Sequence, residues 1–303
     1  MKVLIIGLGS VALKHIDALK AINKNIEIYA LRSSKSANII NNVINIFSWK
    51  SVNEYVFSFA IISSPSYLHV RNLEKILHLN IPIFIEKPIC TSKYQLKKLS
   101  NIKLKNLSYV ACNLRFHSLI KFLKRNLPIL TKQIYEINVY CGSYLPDWRE
   151  KDVKETYSYQ KKLGGGVHLD LIHEIDYINY LFGEPKSIRK YTNKLSNLTY
   201  DSVDYANFLM IYNRFSINLI LNYYRKDRKR KIEIVGRDIT IEADFEKGTV
   251  KNLISNKMIF VCKENSLDSS YLDQMNYWIK CIEDRKSPMN NIQEAKKIIK
   301  QVL

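Results

Sequence analysis

Apolar residues follow two different rhythms along this chain. Up to about residue 113, short apolar runs alternate with helical patterns. Lys2–Ile6, Ile26–Leu31, Phe57–Ser63, Ile81–Ile85 and Leu107–Asn113 read as strands. Val11–Ile22, Ser66–Leu79 and Lys93–Leu99 read as the helices between them. Strands that alternate with helices predict a parallel sheet with helices on its faces. Arg115-Phe116-His117 opens a connecting helix, and the rhythm then changes. Gln133–Cys141, Val203–Ile211, Phe215–Tyr223, Lys231–Val235, Ile239–Ala243, Thr249–Ile254 and Lys257–Val261 follow as strands separated by turn signals such as Gly236-Arg237-Asp238. Strands in series predict a large, mainly antiparallel open sheet. A helix over His168–Phe182 carries Leu171, Ile175, Ile178 and Phe182 as one apolar stripe and is expected to cover one face of that sheet. Helices over 272–284 and 292–302 complete the pattern. The expected organisation is an α/β domain over residues 1–117 and an α+β domain over 118–303, with the last helices able to pack back on the first domain.

Composition narrows the class. The chain has 303 residues, of which 47% are hydrophobic and 25% charged, values of a soluble globular protein. No apolar stretch approaches a membrane span. The five cysteines lack CxxC or zinc spacing, so neither a disulfide framework nor a metal site is indicated, and a cytoplasmic location fits. A formal charge of +19 raises nucleic-acid binding as a possibility. The basic residues are spread over the whole chain, however, and only Lys226–Lys231 (KDRKRK) is dense. That run sits between strand-like segments and reads as a solvated hairpin tip, so no nucleic-acid or membrane partner is expected. An anionic substrate or cofactor suits the charge equally well.

Candidate chemistry begins at Gly7-Leu8-Gly9-Ser10-Val11-Ala12, which follows a strand, opens a helix and precedes a second strand. This is the dinucleotide-binding fingerprint with Ala12 in place of the third glycine. Gly7 makes the tight turn, and Gly9 lets a pyrophosphate approach the N–H groups of Ser10, Val11 and Ala12. The second strand ends in Arg32-Ser33 where an NAD-preferring site would carry an acidic residue. Arg32 and Ser33 suit a 2′-phosphate, so NADP(H) is favoured, with NAD(H) as the alternative.

Two other strand ends and one glycine run add polar groups. Ser63-Ser64-Pro65 closes the third strand, and Glu86-Lys87-Pro88 closes the fourth, where ligands sit in open α/β sheets. Gly164-Gly165-Gly166 allows a close backbone approach just before the helix that bears Asp170 and His173, a carboxylate and an imidazole one turn apart. Upstream, Tyr144 and Trp148 can stack on a sugar or base, and Arg149 can hold a phosphate through two hydrogen bonds.

In this order and spacing GLGSVA, SSPSYLH, IEKPI and GGGVHLDLIHEID resemble the Gfo/Idh/MocA oxidoreductases over essentially the whole chain. The stretch Gly142–Arg149 with Tyr157-Ser158 looks like the branch associated with nucleotide sugars and bacterial surface glycans. The resemblance implies hydride transfer between a nicotinamide cofactor and a secondary alcohol or ketone of a sugar or nucleotide sugar. It implies that Gly7, Gly9, Ser10, Val11, Ala12, Arg32, Ser33, Ser64, Pro65, His69, Glu86 and Lys87 hold the cofactor. Lys87, His173 and Asp170 are then the catalytic groups, with either Lys87 or His173 as the proton acceptor. Arg115, Tyr144, Trp148, Arg149, Tyr157 and His168 are the expected substrate contacts. The family's aspartate commonly stands four residues before the histidine, whereas Asp170 stands three before His173. A homodimer or homotetramer through the open sheet is expected. Two other readings are a catalytically silent dinucleotide-binding regulator on the same fold and, on charge alone, a nucleic-acid-binding protein.

Overall fold

The structure is a computed structural model and describes residues 1–32, 40–148, 157–263 and 267–303. The described chain forms two compact units, Met1–Asn113 with Asp268–Gln301 and Leu303, and Leu114–Leu267 with Val302.

The first unit is built on β1 (Lys2–Ile6), α1 (Ser10–Ile22), β2 (Glu27–Leu31), β3 (Val43–Ile46), α2 (Trp49–Val52), β4 (Phe59–Ile62), α3 (His69–Ile76), β5 (Ile83–Ile85), α4 (Lys93–Asn101) and β6 (Ser108–Val110). Six strands pair in parallel in the order β3-β2-β1-β4-β5-β6, a doubly wound sheet. Because both faces of such a sheet are covered, its strands are continuously apolar, and Val3, Leu4, Ile5, Phe59, Ala60 and Ile61 have no solvent exposure. The chain reverses direction of winding beside β1. The ends of β1, β2, β4 and β5 therefore open on one crevice, and the fingerprint loop, Arg32, Ser63-Ser64 and Glu86-Lys87 stand at those ends. The C-terminal segment adds α8 (Leu267–Glu283) and α9 (Ile292–Val302). From α8, Trp278 is fully buried against Phe59, Phe84 and Tyr109, with ring centroids 6.0 to 6.3 Å apart.

The second unit carries α5 (Ser118–Leu130), β7 (Ile134–Tyr144), α6 (Val167–Asp170), α7 (Ile172–Phe182), β8 (Ser187–Asn193), β9 (Tyr205–Ile211), β10 (Ser216–Asn222), β11 (Tyr224–Gly236), β12 (Thr240–Asp244), β13 (Thr249–Asn252) and β14 (Lys257–Val261). The eight strands run β14-β13-β12-β11-β7-β10-β9-β8, all antiparallel except β7 with β10. The parallel pair exists because α6, α7, β8 and β9 intervene before the chain returns beside β7. Burial alternates along the strands. Ile137, Val139, Ala206, Phe208, Met210, Ile217, Leu219, Ile232 and Ile234 are buried, and their neighbours are half-buried or exposed.

Four expectations change. The strands β3 and β8 carry weak patterns, VINI and SIRKYTN, and join the sheets at their edges, where pairing outweighs apolar content. The expected helix over His168–Phe182 breaks at Leu171, whose φ −96° and ψ 25° separate α6 from α7. The run Lys226–Lys231 is no hairpin tip. It lies inside the 13-residue strand β11, which pairs with β7 through Tyr224 and again from Lys229 onward, with a register shift between them.

Trp278→Ala is expected to cost about 3–5 kcal/mol, the range for deleting a buried aromatic ring. A urea midpoint unchanged from wild type would show that the α8 seal contributes nothing to the first unit.

Candidate functional site

In the first unit, backbone geometry explains the glycines. Gly7 has φ +92°, and a Cβ there would lie 2.4 Å from Ser64 Cα, a backbone atom that cannot yield. Gly9 is the opposite case, because a Cβ would meet nothing within 4 Å. It caps α1 and, as a glycine, offers no side-chain acceptor to the first N–H groups of that helix. Those free donors at a helix N-terminus fit the pyrophosphate of a dinucleotide. Beside them is a cleft of about 500 Å³ lined by Gly7, Arg32, Trp49, Ser64, Arg71 and Lys75 among others, with no carboxylate among the described residues of its wall. Arg32 donates to Asn45 Oδ1 at 3.2 Å, and Lys75 lies 4.4 Å from the Trp49 ring centre. Ser33 and Arg149 lie outside the described residues.

Lys87 is positioned by buried polar contacts at the end of β5. Glu86 accepts from the Lys87 N–H at 3.0 Å through one oxygen, and its other oxygen is 2.6 Å from His15 Nε2. Burial alone raises the Glu86 carboxyl, but His15 and Lys87 outweigh it and hold the group below its usual range. His69 has Nδ1 2.8 Å from Pro88 O and Nε2 2.8 Å from Ser64 O, so the ring lies between the turn after β4 and the turn after β5 and donates to one of the two carbonyls when neutral. Asn72 donates to Ser64 Oγ at 2.8 Å. Sequence reading missed His15, Asn72, Arg71, Lys75 and Trp49. Arg71 and Lys75 stand at i and i+4 on α3, a helical spacing that was available as a signal.

The glycine run of the second unit is equally constrained. A Cβ on Gly165 would meet the carbonyl oxygens of Tyr157 and Ser158 at 2.4 and 2.6 Å, and Gly166 has φ +147° with the His168 ring against it. Thus Tyr157 supports the glycine turn through its backbone. His168 is half-buried; burial and Lys190 lower its imidazole to about 4, so it is neutral at pH 7. Asp170 is 3% exposed, and its Oδ2 accepts from the Tyr223 hydroxyl. Burial, then Asp170, raise Tyr223 well above its ordinary value, so the phenol keeps its proton. The helix break at Leu171 thus leaves Asp170 on α6, bonded to Tyr223, while His173 stands on α7.

His173 faces a buried charge network that no sequence motif marks. The Arg230 guanidinium, from β11, contacts His173 Nε2 and donates to Glu174 Oε1 at 2.5 Å. Glu174 has no exposure, and its Oε2 accepts from the Tyr177 hydroxyl at 2.5 Å. Burial pushes the Glu174 carboxyl up, but Arg230, His173 and Tyr177 outweigh it and bring it to about 2. At the end of β7, Tyr144 lies under the Lys226 ammonium. Trp148, 38% exposed, donates to Ser143 Oγ at 2.9 Å and sets its edge against Tyr223. Arg115, expected among the substrate contacts, is instead 7% exposed and holds Asp176 in a two-bond fork at 2.8 and 2.6 Å. Among the described residues, no cluster is placed to hold a metal and no helix is long and apolar enough to cross a membrane.

Residues 1–111 match the family described as "Oxidoreductase family, NAD-binding Rossmann fold", and residues 133–242 match "GFO/IDH/MocA C-terminal domain". No curated protein sequence matches the chain. Similar solved structures include an oxidoreductase from Thermotoga maritima, with 20% identity, a TM-score of 0.84 and coverage of 99% of this chain and 93% of that one. The WlbA dehydrogenase from Bordetella pertussis, in complex with NADH and UDP-GlcNAcA, has 14% identity, a TM-score of 0.80 and coverage of 98% and 93%. UDP-N-acetylglucosamine 3-dehydrogenase from Acidithiobacillus ferrooxidans has 16% identity, a TM-score of 0.78 and coverage of 100% and 95%. At these identities the likeness is one of fold.

The buried network gives stability a pH signature. His168 and His117 are each lowered to about 4, His117 by burial, then Arg230 and Lys121. Their neutral forms contribute stability that is present above about pH 6.5 and lost as pH falls toward 4. Glu174, depressed from 4.5 to about 2, adds a second loss as pH falls from about 4.5 toward 2. The urea midpoint is expected to fall continuously from pH 6.5 to 3, and Glu174→Gln should remove the part below pH 4.5. A midpoint that is flat from pH 6.5 to 4 would contradict the buried neutral histidines.

Proposed function

Since the chain is a member of the GFO/IDH/MocA oxidoreductase family, whose NAD-binding model matches residues 1–111, we propose that it transfers hydride between a nicotinamide cofactor and a secondary alcohol or ketone of a sugar, specifically a nucleotide sugar. The observation that carries this reading is Lys87, held at the end of β5 by Glu86, His15 and His69 beside the glycine loop of the fingerprint. A cation fixed at a strand end suits a developing alkoxide. Bound in the cleft, the nicotinamide dinucleotide supplies the hydride acceptor or donor.

The chain's own residues have separate tasks in this reading. Gly7 and Gly9 leave backbone room for the pyrophosphate, and the N–H groups at the start of α1 bind it. Ser64 and Pro65 border the nicotinamide side. Arg32, with Arg71 and Lys75 in the same wall, supports a preference for NADP(H). Trp49 offers an aromatic face for the adenine. Lys87 of the first unit and His173 of the second are the proposed acid–base groups, with either as the proton acceptor. Asp170 acts through Tyr223 and supports the substrate wall. Tyr144 and Trp148 are surfaces for the sugar or base, which suits a UDP-sugar of the kind named for two structural relatives. A place in bacterial surface-glycan synthesis follows from such a substrate.

Turnover is read from reduced-nicotinamide absorbance with a panel of UDP-sugars. Lys87→Ala is expected to lower kcat by about 10²–10⁴-fold, the usual contribution of a positioned acid-base group; an unchanged kcat would remove Lys87 from the reaction. Arg32→Ala should weaken NADP(H) more than NAD(H), and equal weakening of both would contradict the 2′-phosphate role.

A further inference from the structure

A cleft of about 640 Å³ opens within the second unit, lined by none of the residues given a role above. Its floor is apolar, made by Leu127 from α5, Ile134 from β7, Leu181 and Phe182 from the end of α7, and Phe215 from the turn before β10. His173 stands near the start of α7, so the cleft lies about 14 Å further along that helix. Phenylalanine is among the residues most often fully buried, yet Phe182 and Phe215 are only half-buried here. The walls are tied to one another. Tyr212 stacks on Phe215 with ring centroids 4.5 Å apart, and its hydroxyl donates to Gly183 O at 2.9 Å, fastening the β9–β10 turn to the end of α7. Lys124 donates to Tyr180 O at 2.5 Å, fastening α5 to α7. Thr131 donates to Gln133 O at 2.9 Å and braces the loop between α5 and β7. The cleft is thus pre-formed, and its volume is that of a small-molecule site.

Charge and size narrow the occupant. Lys132 and Arg214 are exposed on the rim, and among the described residues neither side chain has a hydrogen bond or an ion pair. No carboxylate lines the cleft among the described residues. Glu184 lines an adjoining hollow that shares Arg214 and Phe215, and Lys186 in the same hollow offsets its charge. A bare inorganic anion would fill little of the volume and leave the aromatic floor wet, since one water takes only about 30 Å³. A peptide adding as a strand has no edge to use, because β7 is an interior strand paired with both β10 and β11. We propose that this cleft is a second binding site, for a small organic phosphate with an apolar body. Arg214 offers a planar fork of donors to the phosphate and Lys132 a second positive charge. Phe182 and Phe215 cover the apolar body. The site is separate from the hydride-transfer reading and is tested without turnover.

The probe is octyl phosphate, titrated calorimetrically into the full-length protein. Saturable binding at one site per chain is expected, and 1-octanol and inorganic phosphate should each bind at least about tenfold more weakly, since each lacks one of the two recognised parts. Arg214→Gln combined with Lys132→Gln should weaken octyl phosphate by at least about tenfold. Both side chains are exposed, so the double variant is expected to fold, and a urea midpoint equal to wild type checks it. No saturable binding at millimolar octyl phosphate overturns the proposal, as does equal binding by the folded double variant. Equal affinity for 1-octanol removes the anion from it, and equal affinity for inorganic phosphate removes the apolar body; either result overturns it. NADP⁺ should leave the titration unchanged, and competition by NADP⁺ would put the probe in the cleft of the first unit and overturn the assignment. Co-sedimentation with phosphatidylglycerol vesicles in the absence of octyl phosphate binding would assign the rim to a membrane surface and likewise overturn it.

Discussion

A buried arginine and a buried glutamate hold the second unit's chemistry in place. Arg230 on β11 and Glu174 on α7 meet at 2.5 Å, with Glu174 entirely out of water. A pair of this kind is poor evidence for added stability, because stripping water from two charges costs about as much as their attraction returns. Its consequence is specificity of arrangement. Removing one partner would leave a full charge without compensation, so helix and strand are locked in one register. Around that lock Tyr177 satisfies the second Glu174 oxygen, and His173 has its Nε2 set against the guanidinium. Asp170, one turn earlier, is held by a separate phenol, Tyr223. Two residues that look like one catalytic pair in sequence are thus anchored separately, by Tyr223 in the bend between β10 and β11 and by Arg230 on β11.

The first unit solves a similar problem with fewer charges. Glu86 is bonded by His15 from α1 and by the next backbone N–H, and His69 joins the turns after β4 and β5. The His15 contact links the glycine-loop helix to the Lys87 turn, and His69 lies between the Ser64 turn and Pro88. Gly7, whose Cβ would collide with Ser64, completes that closure without a side chain. A lysine on a free loop would sample many positions; here its backbone is held on both sides.

What sequence made legible was local. The strand, glycine turn and helix around Gly7–Ala12 follow from neighbouring residues, and so do the alternating strands of the second sheet. The misread features depend on distant partners. Lys226–Lys231 looks like a solvated tip until Arg230 finds Glu174, 56 residues away. Arg115 looks available for a substrate until it meets Asp176, 61 residues away. The break at Leu171 is invisible in a run of helix formers, since Gly166 and Val203 set the start of α6 through a backbone bridge. Edge strands β3 and β8 are likewise made by pairing, with little apolar content to announce them.

Isotopic labelling follows the proposed hydride from a sugar carbinol carbon to the nicotinamide ring. Purified protein would be incubated with NADP⁺ and UDP-N-acetylglucosamine deuterated on the sugar ring, and the nicotinamide product examined by NMR. One deuterium at nicotinamide C4 is expected for each molecule reduced. Reduced cofactor without deuterium, or none formed with any ring-deuterated UDP-sugar or free sugar, would contradict it.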